Sequence, residues 1–131
     1  MLTLAKWDEY PNFRKEEFDC KHTGLNHMQH DFMVKLQRLR NAYGKPIHIS
    51  SGYRDATHPV EARKNTTGTH AMGIACDIAI RGTDAHELLT LAMAMKFSGI
   101  GVKQHGDGTR FIHLDTADLT SHYRPAVWSY R

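Results

Sequence analysis

The chain has 131 residues, 40% of them hydrophobic and 24% charged, and a formal net charge of +3. That is the make-up of one ordinary globular domain, residues 1–131, and no apolar run approaches the roughly 20 residues a membrane-spanning helix needs. The mildly basic balance suits polyanions, but no long basic run or interleaving of aromatic and basic residues points to nucleic acid.

The opening stretch, Met1 to Tyr10, mixes acids with aromatics and has no apolar segment of the signal-peptide kind. Synthesis in the cytoplasm is therefore expected, and Cys20 and Cys76 are expected to stay reduced. From Asn26 to Tyr43, Met28, Phe32, Leu36, Leu39 and Tyr43 recur at helical spacing, with Asn26 as the N-cap and Gly44 as the stop. His27 and His30 fall in the first turns of that helix and read as surface residues.

Residues 47–51 alternate and are rich in β-branched side chains, as a short strand would be. Residues 52 to about 69 are polar and broken by Pro59 and Gly68. A loop of that length is usually functional. Gly73 to Ile80 reads as a second strand, apolar enough to be central. Cys76 lies beside Asp77 on it, turned to the opposite face, and reads as a packed thiol rather than a ligand.

A second helix is expected from Asp84, whose spacing to Glu87 fits a capping box, up to Gly99. Ile100–Val102 and Arg110–Thr116 then form a hairpin on the turn His105-Gly106-Asp107-Gly108. Strands flanked by helices without regular βαβ alternation argue an α+β fold with a small central antiparallel sheet and flanking helices.

The chemistry gathers on these elements. Asp77 projects from one face of its strand, and His70 precedes it in the loop, bracketed by Gly68 and Gly73. His113 and Asp115, two apart, share a strand face. If the two strands are neighbours, His70, Asp77 and His113 meet around one ion at the ~2.0–2.2 Å that zinc prefers. Two imidazoles and one carboxylate leave a fourth position open for water, the difference between a catalytic and a closed structural zinc. Taken singly, each of the ten histidines reads more simply as a surface residue. Asp115 is the nearest carboxylate, and reads either as a general base or as the partner that orients the His113 ring.

Ser51-Gly-Tyr-Arg54, with Gly-Thr-His70-Ala-Met-Gly-Ile-Ala-Cys-Asp77-Ile, resembles the signature of the zinc D-alanyl-D-alanine carboxypeptidases and murein endopeptidases. These are grouped with the vancomycin-resistance dipeptidases and the hedgehog signalling domain. Phe-Ile-His113-Leu-Asp115 resembles the group's last zinc motif. Residues 18–24 and 124–130 look like segments of compact phage-type members. The resemblance spans roughly residues 13–130. It implies a hedgehog-like zinc fold, a Zn2+ cofactor held by His70, Asp77 and His113, and Arg54 as the binder of a substrate carboxylate or carbonyl oxygen. A planar guanidinium suits that role.

The chain departs from the resemblance at the general base. Relatives carry a histidine two residues before the last ligand or an acid three before, and here those places hold Phe111 and Arg110. The implied activity is hydrolysis of an amide in the peptidoglycan stem peptide or cross-link by a monomer of endolysin type, acting at the wall after release from the host cytoplasm. A D-Ala-D-Ala carboxypeptidase and a catalytically silent, zinc-stabilised binding domain are the alternatives.

Overall fold

The computed structural model describes residues 2–64 and 66–130. It is a mixed α+β structure of three helices and a five-stranded sheet. The first helix, α1, spans His30–Tyr43 and buries Phe32, Met33, Leu36, Leu39 and Tyr43 along one face. Gly44 ends it in the left-handed conformation, φ 74°, with its N–H on the Arg40 carbonyl. The helix begins three residues later than expected, with Gln29 rather than Asn26 at its N-cap. Asn26 spends its side-chain oxygen on the Met28 N–H and its amide on Lys15 and Asp19, which holds the chain outside the helix. His27 instead meets the Tyr53 hydroxyl, and His30 the hydroxyl of Tyr10.

Strand β1 spans His48–Ser51 and β2 spans Ala75–Ala79. The loop between them carries a single helical turn, α2, at Pro59–Ala62. Helix α3 spans Gly82–Ala94 and starts without a side-chain cap, because its N-cap is Arg81; Asp84 and Glu87 lie inside the helix, where both pair with Lys45. Strands β3, Gly99–Lys103, and β4, Phe111–Asp115, form the expected hairpin. A further strand, β5, spans Ala126–Ser129.

The strand order is β1-β2-β4-β3-β5. The first four strands are antiparallel, but β5 joins β3 in parallel, which corrects the expectation of a wholly antiparallel sheet. A chain leaving β4 must cross over β3 to reach the free edge, so β5 arrives there running in the direction of β3.

Register explains where the two faces go. Cys76, Ile78, Ile100, Ile112 and Leu114 point to one side and join the helices in a single hydrophobic cluster. On the other side Ser51, Asp77, His113, Gly101 and Trp128 stand in register across all five strands. Among the described residues, no helix is long and apolar enough to cross a membrane.

Candidate metal centre

The row of in-register residues places Asp77 of β2 directly beside His113 of β4. His70 reaches the same point from the turn before β2, where Gly73 (φ 75°) passes so close to the His27 carbonyl that a side chain would overlap it. His70, Asp77 and His113 are all buried and offer ligand atoms within 4.8 Å of one another.

The hydrogen bonds behind the two rings fix which nitrogen faces inward. His70 donates from Nδ1 to the Gly52 carbonyl at 2.7 Å, and a carbonyl only accepts, so the lone pair of His70 is on Nε2. That nitrogen lies 3.3 Å from Asp77 Oδ1. His113 holds Asp115 Oδ2 with Nε2 at 2.8 Å and turns Nδ1 toward Asp77 Oδ1 at 3.0 Å. Two ring nitrogens and one carboxylate oxygen thus converge, each ring braced from behind, which is the donor set and outer support of a divalent transition-metal site.

In the metal-free protein the three groups perturb one another. Burial alone would push the Asp77 carboxyl up, but in the metal-free protein hydrogen bonds from the rings of His113 and His70 in their protonated forms outweigh it and hold the group well below the usual carboxylate range. Burial pushes His70 down, and Asp77 offsets that only in part. His113 is also disfavoured as a cation by burial, yet Asp115 and Asp77 together raise it.

Arg54 stands at the rim. It donates to Asp77 Oδ2 at 3.3 Å and to Ser51 Oγ at 3.2 Å, and pairs with Glu61 Oε2 at 3.5 Å. Asp55, next to it in the chain, is engaged with Thr57. Glu61, from α2, is almost wholly buried and also binds Lys64 at 2.9 Å. Nothing in its local sequence marked it out.

Asp115 lies behind His113, fully buried, and both oxygens are taken. Oδ1 accepts from Arg124 Nε at 2.9 Å and the Ala117 N–H at 3.2 Å. Oδ2 accepts from Arg124 Nη2 at 2.7 Å and from His113. His105 sits exposed on the β3–β4 turn.

A cleft of about 560 Å³ opens over the three donors, and Lys64, Phe111, His122, Trp128 and Tyr130 help to line it. A larger cavity of about 750 Å³, bordered by Gln29, Lys35 and Thr116, holds none of the three. Trp128 and Tyr130 were not anticipated as site residues, although their spacing of two around Ser129 is a strand signal.

Compared with known proteins, the chain matches a family model described as Peptidase M15 over residues 11–115, a span that includes Arg54, His70, Asp77, His113 and Asp115. No curated protein matches it.

Proposed function

The chain belongs to the peptidase M15 family, and from that premise we propose that it is a zinc-dependent peptidase cutting an amide bond of the peptidoglycan stem peptide or cross-link. The convergence of His70 Nε2 and His113 Nδ1 on Asp77 Oδ1 carries this reading. Zinc, when bound, lowers the pKa of a coordinated water from about 15.7 to about 7 and polarises the scissile carbonyl.

The chain's own residues supply the rest. His70 and His113 present unprotonated nitrogens because Gly52 and Asp115 hold their opposite N–H groups. Arg54, tethered between Asp77 and Glu61, presents a fixed guanidinium at the rim. There it orients a substrate oxygen and stabilises negative charge as it develops. Asp115 acts as the partner of the His113 ring rather than as the base, since neither of its oxygens is free to receive a proton from water. The aromatic wall of Phe111, Trp128 and Tyr130 shields one side of the cleft from solvent.

We propose further that it works as an endolysin-type endopeptidase, reaching the wall from the host cytoplasm. The support is the resemblance of residues 18–24 and 124–130 to compact phage-type members. A D-Ala-D-Ala carboxypeptidase differs only in the bond cut. The second reading is a zinc-stabilised binding domain without turnover, and one observation favours it: Arg110, just before β4, and Phe111, its first residue, stand where the resemblance implies a proton acceptor.

Mass spectrometry of purified peptidoglycan separates these. It would be incubated with zinc-loaded protein, EDTA-treated protein and His113→Ala. Products that require both zinc and His113 are expected, and their masses name the bond. Intact peptidoglycan in all three, with zinc bound stoichiometrically to the wild type, would leave the binding domain.

A further inference from the structure

We infer that Arg124, which lies beyond the span matched by the family, is a positioning residue of the metal centre: it fixes Asp115, and through Asp115 the ring of His113. The inference rests on the proposed metal site, but not on the proposed reaction.

The geometry is that of a clamp. Arg124 meets Asp115 with two parallel bonds, Nε to Oδ1 at 2.9 Å and Nη2 to Oδ2 at 2.7 Å, the arrangement in which a guanidinium fixes both the position and the plane of a carboxylate. The same Oδ2 receives His113 Nε2 at 2.8 Å. An oxygen acceptor held at Nε2 keeps the ring's N–H on that side and leaves Nδ1 for the metal. Without the clamp the carboxylate can rotate about its side-chain bonds, and the ring loses the partner that defines it.

Arg124 braces His113 by a second route. Its guanidinium lies over the Trp128 ring, 5.0 Å from the centroid, and the Trp128 ring stands 5.3 Å from that of His113. Strand β3 is cut to admit both props. Gly99 is in register with Asp115 and Gly101 with His113, and a Cβ on Gly99 would overlap the Asp115 carboxylate. A Cβ on Gly101 would come within 2.6 Å of Trp128 Nε1. Two glycines at i and i+2 therefore form a slot for the Arg124–Asp115 pair and the indole. The segment itself is anchored by the parallel pairing of β5, beginning with the Ala126 N–H on the Ser98 carbonyl at 2.8 Å.

The test is zinc affinity of the full chain, measured by competition with a chromophoric chelator, with Co2+ absorption as a second readout of donor geometry. Arg124→Ala that is folded by far-UV circular dichroism is expected to bind zinc about 10–100-fold more weakly, the usual cost of losing outer support. Arg124→Lys, which restores the charge without the fork, should recover part of the loss. Added guanidinium ion should recover part of it in Arg124→Ala, where sodium chloride at equal ionic strength does not.

A folded Arg124→Ala with affinity within about threefold of wild type, or a loss that neither lysine nor guanidinium relieves, overturns the inference. If Arg124→Ala does not fold, Arg124→Gln is measured against the same limits. Should wild type bind zinc yet release nothing from peptidoglycan, the peptidase proposal fails while these affinities still decide the role of Arg124.

Discussion

Gly99 and Asp115 face each other across β3 and β4, and the carboxylate of Asp115 occupies the space that any side chain at position 99 would need. Gly99→Ala therefore forces either the strand or the carboxylate to move. We expect a loss of about 1–3 kcal/mol, in line with overpacking elsewhere, together with weakened zinc binding, because the carboxylate cannot leave the methyl without leaving His113. Thermal melts with and without zinc check both effects.

His70 is held by Gly52 behind and Asp77 in front, so its removal deletes a donor without opening the core cluster on the other sheet face. His70→Ala is expected to remain folded, to lose stoichiometric zinc in equilibrium dialysis, and to show no measurable peptidoglycan turnover.

Arg54→Lys keeps a positive charge at the rim but gives up the fork that spans Asp77 and Glu61. Zinc stoichiometry should persist while kcat/KM on a stem-peptide substrate falls by about 10²-fold, the scale of losing a charge-stabilising donor. Unchanged turnover would remove Arg54 from the reaction.

Acid stability of the metal-free protein follows from the two buried carboxylates. Asp77 and Asp115 are held below their ordinary range, against burial, by hydrogen bonds from His113 with His70 and with Arg124 respectively. Groups depressed in the folded state contribute stability above the unfolded value, near 3.9 for aspartate, and lose it as pH falls through the folded one. His113, raised in the folded state, has the opposite sign, its share being complete below the unfolded value near 6.5 and lost as pH rises through the folded one. Melts of EDTA-treated protein should therefore decline below about pH 4. Asp77→Asn should flatten that decline.

Cys76 is fully buried on the helix-facing side of β2, where its thiol is pushed up by burial. Cys76→Ser places an unpaired hydroxyl in that core and should cost about 1–3 kcal/mol, with zinc affinity unchanged. A change in affinity would mean that the strand's register is wrong.

The grouping of His70, Asp77 and His113 was legible because each sits on a strand or beside a glycine whose local pattern announces its direction. Period-two alternation sufficed to turn Asp77 from Cys76 and to align His113 with Asp115. Helix α1 was legible in its stop but not its start, since Asn26 caps a turn of the preceding loop rather than the helix. The capping box expected at Asp84 is absent because the helix begins earlier, at Gly82 with Arg81 as its N-cap, which leaves Asp84 free to pair with Lys45, 39 residues away. Strand β5 and the clamp of Arg124 escaped for one reason. The strand has four residues and pairs with β3 alone, and the clamp's Asp115 lies in β4, so beyond the alternation of Trp128 and Tyr130 no local rule reports them.

The alternation that sends Cys76 into the core has a consequence for where such a protein can work. The trio proposed to hold the metal offers two nitrogens and one oxygen, His70 Nε2, His113 Nδ1 and Asp77 Oδ1. Peroxide and related oxidants strip zinc from sulfur-based centres by carrying cysteine up to sulfenic and higher acids. Here the sulfur of Cys76 stands behind the sheet and none is among the three proposed ligands, so a metal held there would have no thiolate to lose to oxidation. A centre of this kind keeps its ion in an oxidising medium outside a cell as readily as in a reducing one within.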